Sequence, residues 1–208
     1  MGADCHWTSL KPVIDGVVSD PVWKQAEVIE NFSAHWQNKV IAATKARLLW
    51  DEEALYFAAE MKDDHVVVAG KRRQDPIYEG DVFEMFFKPK ASQPMYYEIE
   101  VNAEANVLEL NIPKYPFDFA AVARATPPAI GAAARAYVGG WTVEGKLPWR
   151  HFNQSGGRPQ PGDEWRFLLG RYDYEQLGKP PTISTNVPLM RPDFHRTAEY
   201  LALRFSRP

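Results

Sequence analysis

A single cysteine in 208 residues forbids any intramolecular disulfide, so the fold must rest on packing alone. No run of about 18 apolar residues occurs, which excludes a membrane-spanning helix. Lysine and arginine (24) are outnumbered by aspartate and glutamate (27), giving a net charge of −3. The basic residues are scattered, so no basic face exists for a phosphate backbone and nucleic acid is not an expected partner. The opening MGADCHWTSLK has neither the charged start nor the apolar segment of a secretory signal. Long amphipathic helices are missing too. Nor is there a G-x-S-x-G elbow, an H-E-x-x-H helix or a zinc-spaced set of cysteines and histidines.

What remains is ample material for one core: 45% hydrophobic and 13% aromatic residues. Alternation of period two dominates and marks strands over Ala46 to Trp50, Leu55 to Met61, Val82 to Lys88, Tyr96 to Asn102, Val107 to Ile112, Ala134 to Val138, Trp141 to Leu147, Trp165 to Arg171 and Tyr200 to Phe205. Nine strands imply two sheets. DEEA at 51–54 reads as a hairpin turn, as does Gly139-Gly140, and SDPVWKQAE as a short helical turn capped by Ser19 or Asp20. Lys62 to Gly80 and Pro113 to Pro128 are long and poorly patterned, as functional loops of a β-sandwich often are. The expected architecture is an all-β, single-domain antiparallel sandwich, jelly-roll or immunoglobulin-like, over residues 12–208. Residues 1–11 are expected to be a flexible segment with Cys5 exposed.

The stretch GDVFEMFFKPK, 80–90, contains an anomaly. Phe83, Met85 and Phe87 share one face of a strand, while Val82, Glu84 and Phe86 share the other. A carboxylate between two apolar neighbours needs either a structural partner or a ligand to replace its hydration. Glu98 and Glu100 share a face with Tyr96 and Asn102; for Glu98 a solvated strand face is the expectation.

VIDGVVSDPVW, ARLLWDEEALYFAAEMKDD, EGDVFEMFF, YYEIEVN and GWTVEGKLPW together resemble carbohydrate-binding module family 9, from about Pro12 to Phe205. The resemblance implies a sandwich of two antiparallel sheets that grips a saccharide without cleaving it, usually beside structural calcium. It also implies association with polysaccharide-degrading enzymes and an extracellular or periplasmic location. The family's two aromatic platforms fall on Tyr78 and Phe194, each in place of a tryptophan. Its hydroxyl-binding glutamate and asparagine fall on Glu84 and Asn102, and an expected arginine is Glu100. Asp51, Asp63, Asp64 and Asp81 are the candidate calcium donors. Three alternatives stand beside sugar binding. One is a glycosidase pair, Glu84 with Glu100. Another is a cytochrome-type sandwich holding haem through Met85 with Met190 or His195. The third is an interaction domain, associated with glycoside hydrolases, whose sugar site has degenerated.

Overall fold

The computed structural model describes residues 2–41 and 43–207. Its strands are β1 (Gly2–Trp7), β2 (Ser33–Ala34), β3 (Lys39–Val40), β4 (Thr44–Trp50), β5 (Ala54–Lys62), β6 (Val82–Lys88), β7 (Tyr96–Asn102), β8 (Val107–Ile112), β9 (Gly131–Tyr137), β10 (Gly140–Pro148), β11 (Glu164–Asp173), β12 (Thr182–Thr185) and β13 (Leu201–Ser206). A short helix, α1 (Phe119–Ala125), interrupts them between β8 and β9. One layer runs β9-β10-β5-β4-β1-β13, and the other β8-β7-β6-β11-β12-β2-β3. They join through β11, whose first residues pair with β13 and whose last pair with β12, while its opposite edge carries β6.

The apolar residues of β6 and β7 divide by parity between two cores. Phe83, Met85 and Phe87 join Tyr97, Ile99 and Val101 in the principal core, against Leu48, Trp50, Phe57, Trp141 and Val143 of the other layer. Val82 and Phe86 belong to a second cluster on the far face, with Tyr96, Leu108, Leu110 and Leu168. All seven residues of β6 are buried, which explains its almost continuous apolar run. The Gly139 turn follows the sequence expectation, with φ at +89°. The turn at 51–54 closes with the Asp51 amide donating to the Ala54 carbonyl.

The expected flexible N-terminus is instead β1. It pairs in parallel with β13 over Gly2 to His6, and His6 and Trp7 continue onto β4. Ala3 and Cys5 alternate into the core, and Cys5 is fully buried rather than exposed. Burial pushes its thiol well above the ordinary range, which makes it a poor nucleophile. The short strands β2, β3 and β12, and helix α1, also lie outside the sequence expectation.

The segment after β1 is clipped across the outside of the β4-β5-β10 layer. The 3-10 turn Pro21–Gln25 is capped by Asp20, which accepts from the Val22 amide, and it lays Val22 and Trp23 over Leu49, Tyr56 and Ala58. The Trp23 indole donates to Glu144 Oε1 at 2.7 Å, and the amides of Asp15 and Gly16 donate to Oε2 at 3.2 and 3.0 Å. Glu144 is thus a fully buried carboxylate with a complete donor set. Trp23→Phe keeps most of the packing but orphans Glu144 Oε1, and is expected to cost about 1–3 kcal/mol. Urea denaturation measures this; an unchanged midpoint would show the clip to be dispensable.

Candidate ligand-binding site

On the outer face of the β6-β7-β8 layer lies a recess of ≈ 360 Å³. Its sheet side is Glu84 and Phe86 of β6, Glu98 and Glu100 of β7, Leu110 of β8 and Tyr172 of β11. Its rim comes from three loops: Tyr78 before β6, Phe117 and Phe119 around the start of α1, and Asp193 to His195 before β13. Tyr78 and Phe194, the two expected platforms, therefore do border one recess. Tyr78 is half-exposed and meets Phe119 edge to face at 5.9 Å, with its main-chain carbonyl held by the Tyr174 hydroxyl. Phe194 is only 5% exposed, packed edge-on against Phe86 and Tyr172, so it serves as wall as much as platform. Gly170 makes that position possible, since a Cβ there would meet the Phe194 ring at 2.3 Å.

A larger recess of ≈ 660 Å³ lies beside β4 and β5. Four of its charges are already matched in pairs, Lys45 with Glu30 and Arg47 with Glu60, and Lys62 adds a fifth without an acid partner among the described residues. The aromatic recess is different. Glu84 and Glu100 are direct cross-strand partners, and Glu98 is the next residue of β7 on the same face. One carboxylate oxygen from each lies within 4.8 Å of the others. All three side chains are buried, and the one basic nitrogen within 4 Å among the described residues is His195 Nδ1, 3.9 Å from Glu98. That nitrogen also meets the Tyr96 hydroxyl at 2.9 Å, and burial lowers the basicity of the ring.

Uncompensated burial raises every carboxyl of this trio. Glu84 is pushed well above the ordinary range by burial and then by the charge of Glu98. Glu100 is pushed up by burial and by both neighbours, and Glu98 rises to about 7, chiefly through burial. A proton on Glu100 lets it donate to Glu98, a hydrogen bond between carboxyl and carboxylate. Glu98 was expected on a solvated face; the Phe117, α1 and Asp193 to His195 loops cover it instead.

Asn102 has a structural role. Its amide nitrogen donates to the Ala69 carbonyl at 2.9 Å, and its oxygen accepts from the amides of Glu104 and Asn106. It is fully buried and outside the recess, because the loop before β6 crosses that end of β7. The four aspartates separate as well. Asp51 accepts from the Glu53 and Ala54 amides and the Tyr56 hydroxyl, holding the β4-β5 turn. Asp63 and Asp81 gather with Asp173, but the buried Arg171 guanidinium pairs with Asp63 at 3.0 Å and Asp173 at 3.2 Å. Two of the three carboxylates are thus matched by an internal cation. Asp64 joins neither acidic group. Met85 and His195 lie on opposite faces of β6 and cannot share a haem, and Met190 is 79% exposed. Glu84 and Glu100 stand side by side on the sheet, whereas a glycosidase pair must flank the scissile bond.

The family described as carbohydrate family 9 binding domain-like matches residues 14–181. The chain belongs to this family. Among curated relatives, endo-1,4-beta-xylanase A of Thermotoga neapolitana is 32% identical over 145 residues, covering 69% of this chain and 13% of that enzyme. The enzyme of the same name from Thermotoga maritima is 31% identical over 169 residues, covering 81% and 14%. The chain thus spans only 13–14% of the length of these relatives. A family 9 module from Caldicellulosiruptor kristjanssonii, solved with cellotriose, superposes with a TM-score of 0.71 at 17% identity, covering 99% of this chain and 94% of that one. A structure of a family 9 module from the same organism with glucose gives 0.71 at 16% identity, covering 99% and 96%. A Bacteroides uniformis protein reaches 0.78 at 14% identity, covering 99% and 100%. At such identities the likeness establishes the fold: the family 9 β-sandwich.

Within this family 9 fold the carboxyl trio makes a testable demand on stability. Its groups hold protons in the folded chain that the unfolded chain releases near pH 4.3. Their contribution is therefore complete below that pH and falls as pH rises; the share of Glu98 is lost as pH climbs through about 7. Glu98→Gln removes part of the loss. It is expected to raise the melting temperature at pH 8 by several degrees, at about 2–4 °C per kcal/mol for a chain of this size. The gain should shrink toward zero at pH 4. Calorimetry over that pH range decides, and a variant melting at or below the parent at pH 8 refutes the assignment.

Proposed function

We propose that this chain binds a saccharide without cleaving it, in the recess between Tyr78 and Phe194. The observation that carries the reading is the joining, in one recess, of aromatic rings from three loops with a row of carboxyl groups on the sheet. A sugar offers C–H groups that pack on an aromatic face and hydroxyls that donate to carboxylates, and this lining meets both. The volume suits one or two sugar rings rather than a long buried chain. Family membership supports the same reading, as do the glucose and cellotriose complexes of the Caldicellulosiruptor modules. The xylanase relatives support a place beside polysaccharide-degrading enzymes, outside the cytoplasm where such polymers occur. The ligand contacts are Tyr78, Phe119, Glu84, Glu98 and Glu100, with Phe194 as the wall; Asn102 acts from behind by holding the loop that carries Tyr78.

Sites with few stacking rings bind weakly, so titration belongs at millimolar sugar. Mono- and oligosaccharides are expected to shift the intrinsic fluorescence and the melting temperature. Tyr78→Ala and Phe119→Ala should each weaken binding at least fivefold, because one stacked ring contributes about 1 kcal/mol or more. Both residues are half-exposed, so stability should change little. Absence of any shift across a broad sugar panel would defeat the reading.

A further inference from the structure

We infer that the sugar taken by this recess carries a protonated amine, placed among Glu84, Glu98 and Glu100. The inference rests on the saccharide reading and adds the chemical class of ligand.

The first ground is charge. Three buried carboxyl groups share one face, a fourth acid, Asp193, stands at the rim, and no lysine or arginine nitrogen among the described residues lies within 4 Å of the three. Glu98 Oε2 and Glu100 Oε2 are buried without a hydrogen-bond donor. Elsewhere in the chain buried acids are supplied: Glu144 by an indole and two amides, Glu109 by Arg73, and Asp63 by Arg171. Among the described residues, the buried carboxylate oxygens left with neither donor nor cation are those of the recess trio. A neutral sugar donates hydroxyls but leaves the charge uncompensated, whereas an ammonium supplies both charge and donors.

The second ground is geometry. An ammonium has three N–H donors. With hydrogen bonds of about 2.8 Å in tetrahedral directions, its acceptors stand about 4.6 Å apart. One oxygen from each glutamate lies within 4.8 Å of the others, close enough for one ammonium to reach all three. The third ground is the remainder of the lining. Tyr78, Phe86 and Phe119 border the same space, and aromatic faces suit an organic cation by cation–π attraction. A divalent ion would gain nothing from the rings.

Binding must displace protons that the trio holds, and these go to the buffer. Affinity for the amine should therefore rise from pH 5 to 7, and calorimetric heats should vary with the ionisation enthalpy of the buffer.

The test compares glucosamine and deacetylated chito-oligosaccharides with glucose, cellobiose and N-acetylglucosamine by titration calorimetry at pH 7. At least tenfold tighter binding of the amines, with proton release, is the expected result. Glu100→Gln puts a neutral hydrogen-bonding side chain in place of a carboxyl that burial keeps protonated, so it should fold, and should bring the amine-to-neutral affinity ratio down toward one. Equal binding of glucose and glucosamine would overturn this inference and leave the saccharide reading standing. Failure of every sugar would overturn both. Neutral-sugar binding that needs calcium, abolished by a chelator, would overturn it in favour of a metal bridge.

Discussion

Strand β11 is the member on which both layers depend. Its early residues, Glu164 to Phe167, complete the first layer against β13, and its later ones, Gly170 to Asp173, open onto β12. The opposite edge bonds β6 along almost its whole length. Side chains of this one strand then set three environments. Phe167 and Leu169 fill the principal core, Leu168 and Tyr172 back the recess, and Arg171 neutralises Asp63 and Asp173. Gly170, opposite Glu84 in register, gives up its side chain so that the Phe194 ring can close the wall. The position of the carboxyl trio and of the wall beside it thus follows from the register of a single strand pair.

That register also explains why some of the architecture was legible in the amino-acid sequence. β6, β7 and β8 have the bounds that alternation predicts, because each has strong apolar positions on the principal core or on the second cluster. β1 was not legible. It places only Ala3 and Cys5 in the core and has no local hairpin partner; its pairing to β13 joins residues about 200 apart. Helix α1 was hidden for another reason. At seven residues it is too short to show a helical period, and it is held by the Asp118 cap and by packing on β8.

The candidate site divides along the same line. Glu84 stood out because its two neighbours on the strand face are apolar, a local fact. Glu100 followed from alternation and from its place in the family pattern. Glu98 shares that face, yet whether the face is wet depends on the Phe117 and His195 loops, which are distant in the chain. Asn102 lies outside the recess, and nothing in its own strand reveals that the Ala69 carbonyl, 33 residues away, comes to meet its amide group.

The cost of the recess is an argument about its purpose. A fold selected for stability alone would put apolar residues, or an ion pair, where Glu84, Glu98 and Glu100 stand, because buried like charges raise each other's proton affinity and weaken the folded state at neutral pH. Among the described residues the other buried carboxylates have donors or cations. The exception coincides with the aromatic recess, and a feature that costs stability at a ligand-sized opening is the pattern of a binding site. The principal core carries that cost. Phe83, Met85 and Phe87 hold β6 from the opposite face, so the trio is fixed in place by packing that owes nothing to its own interactions.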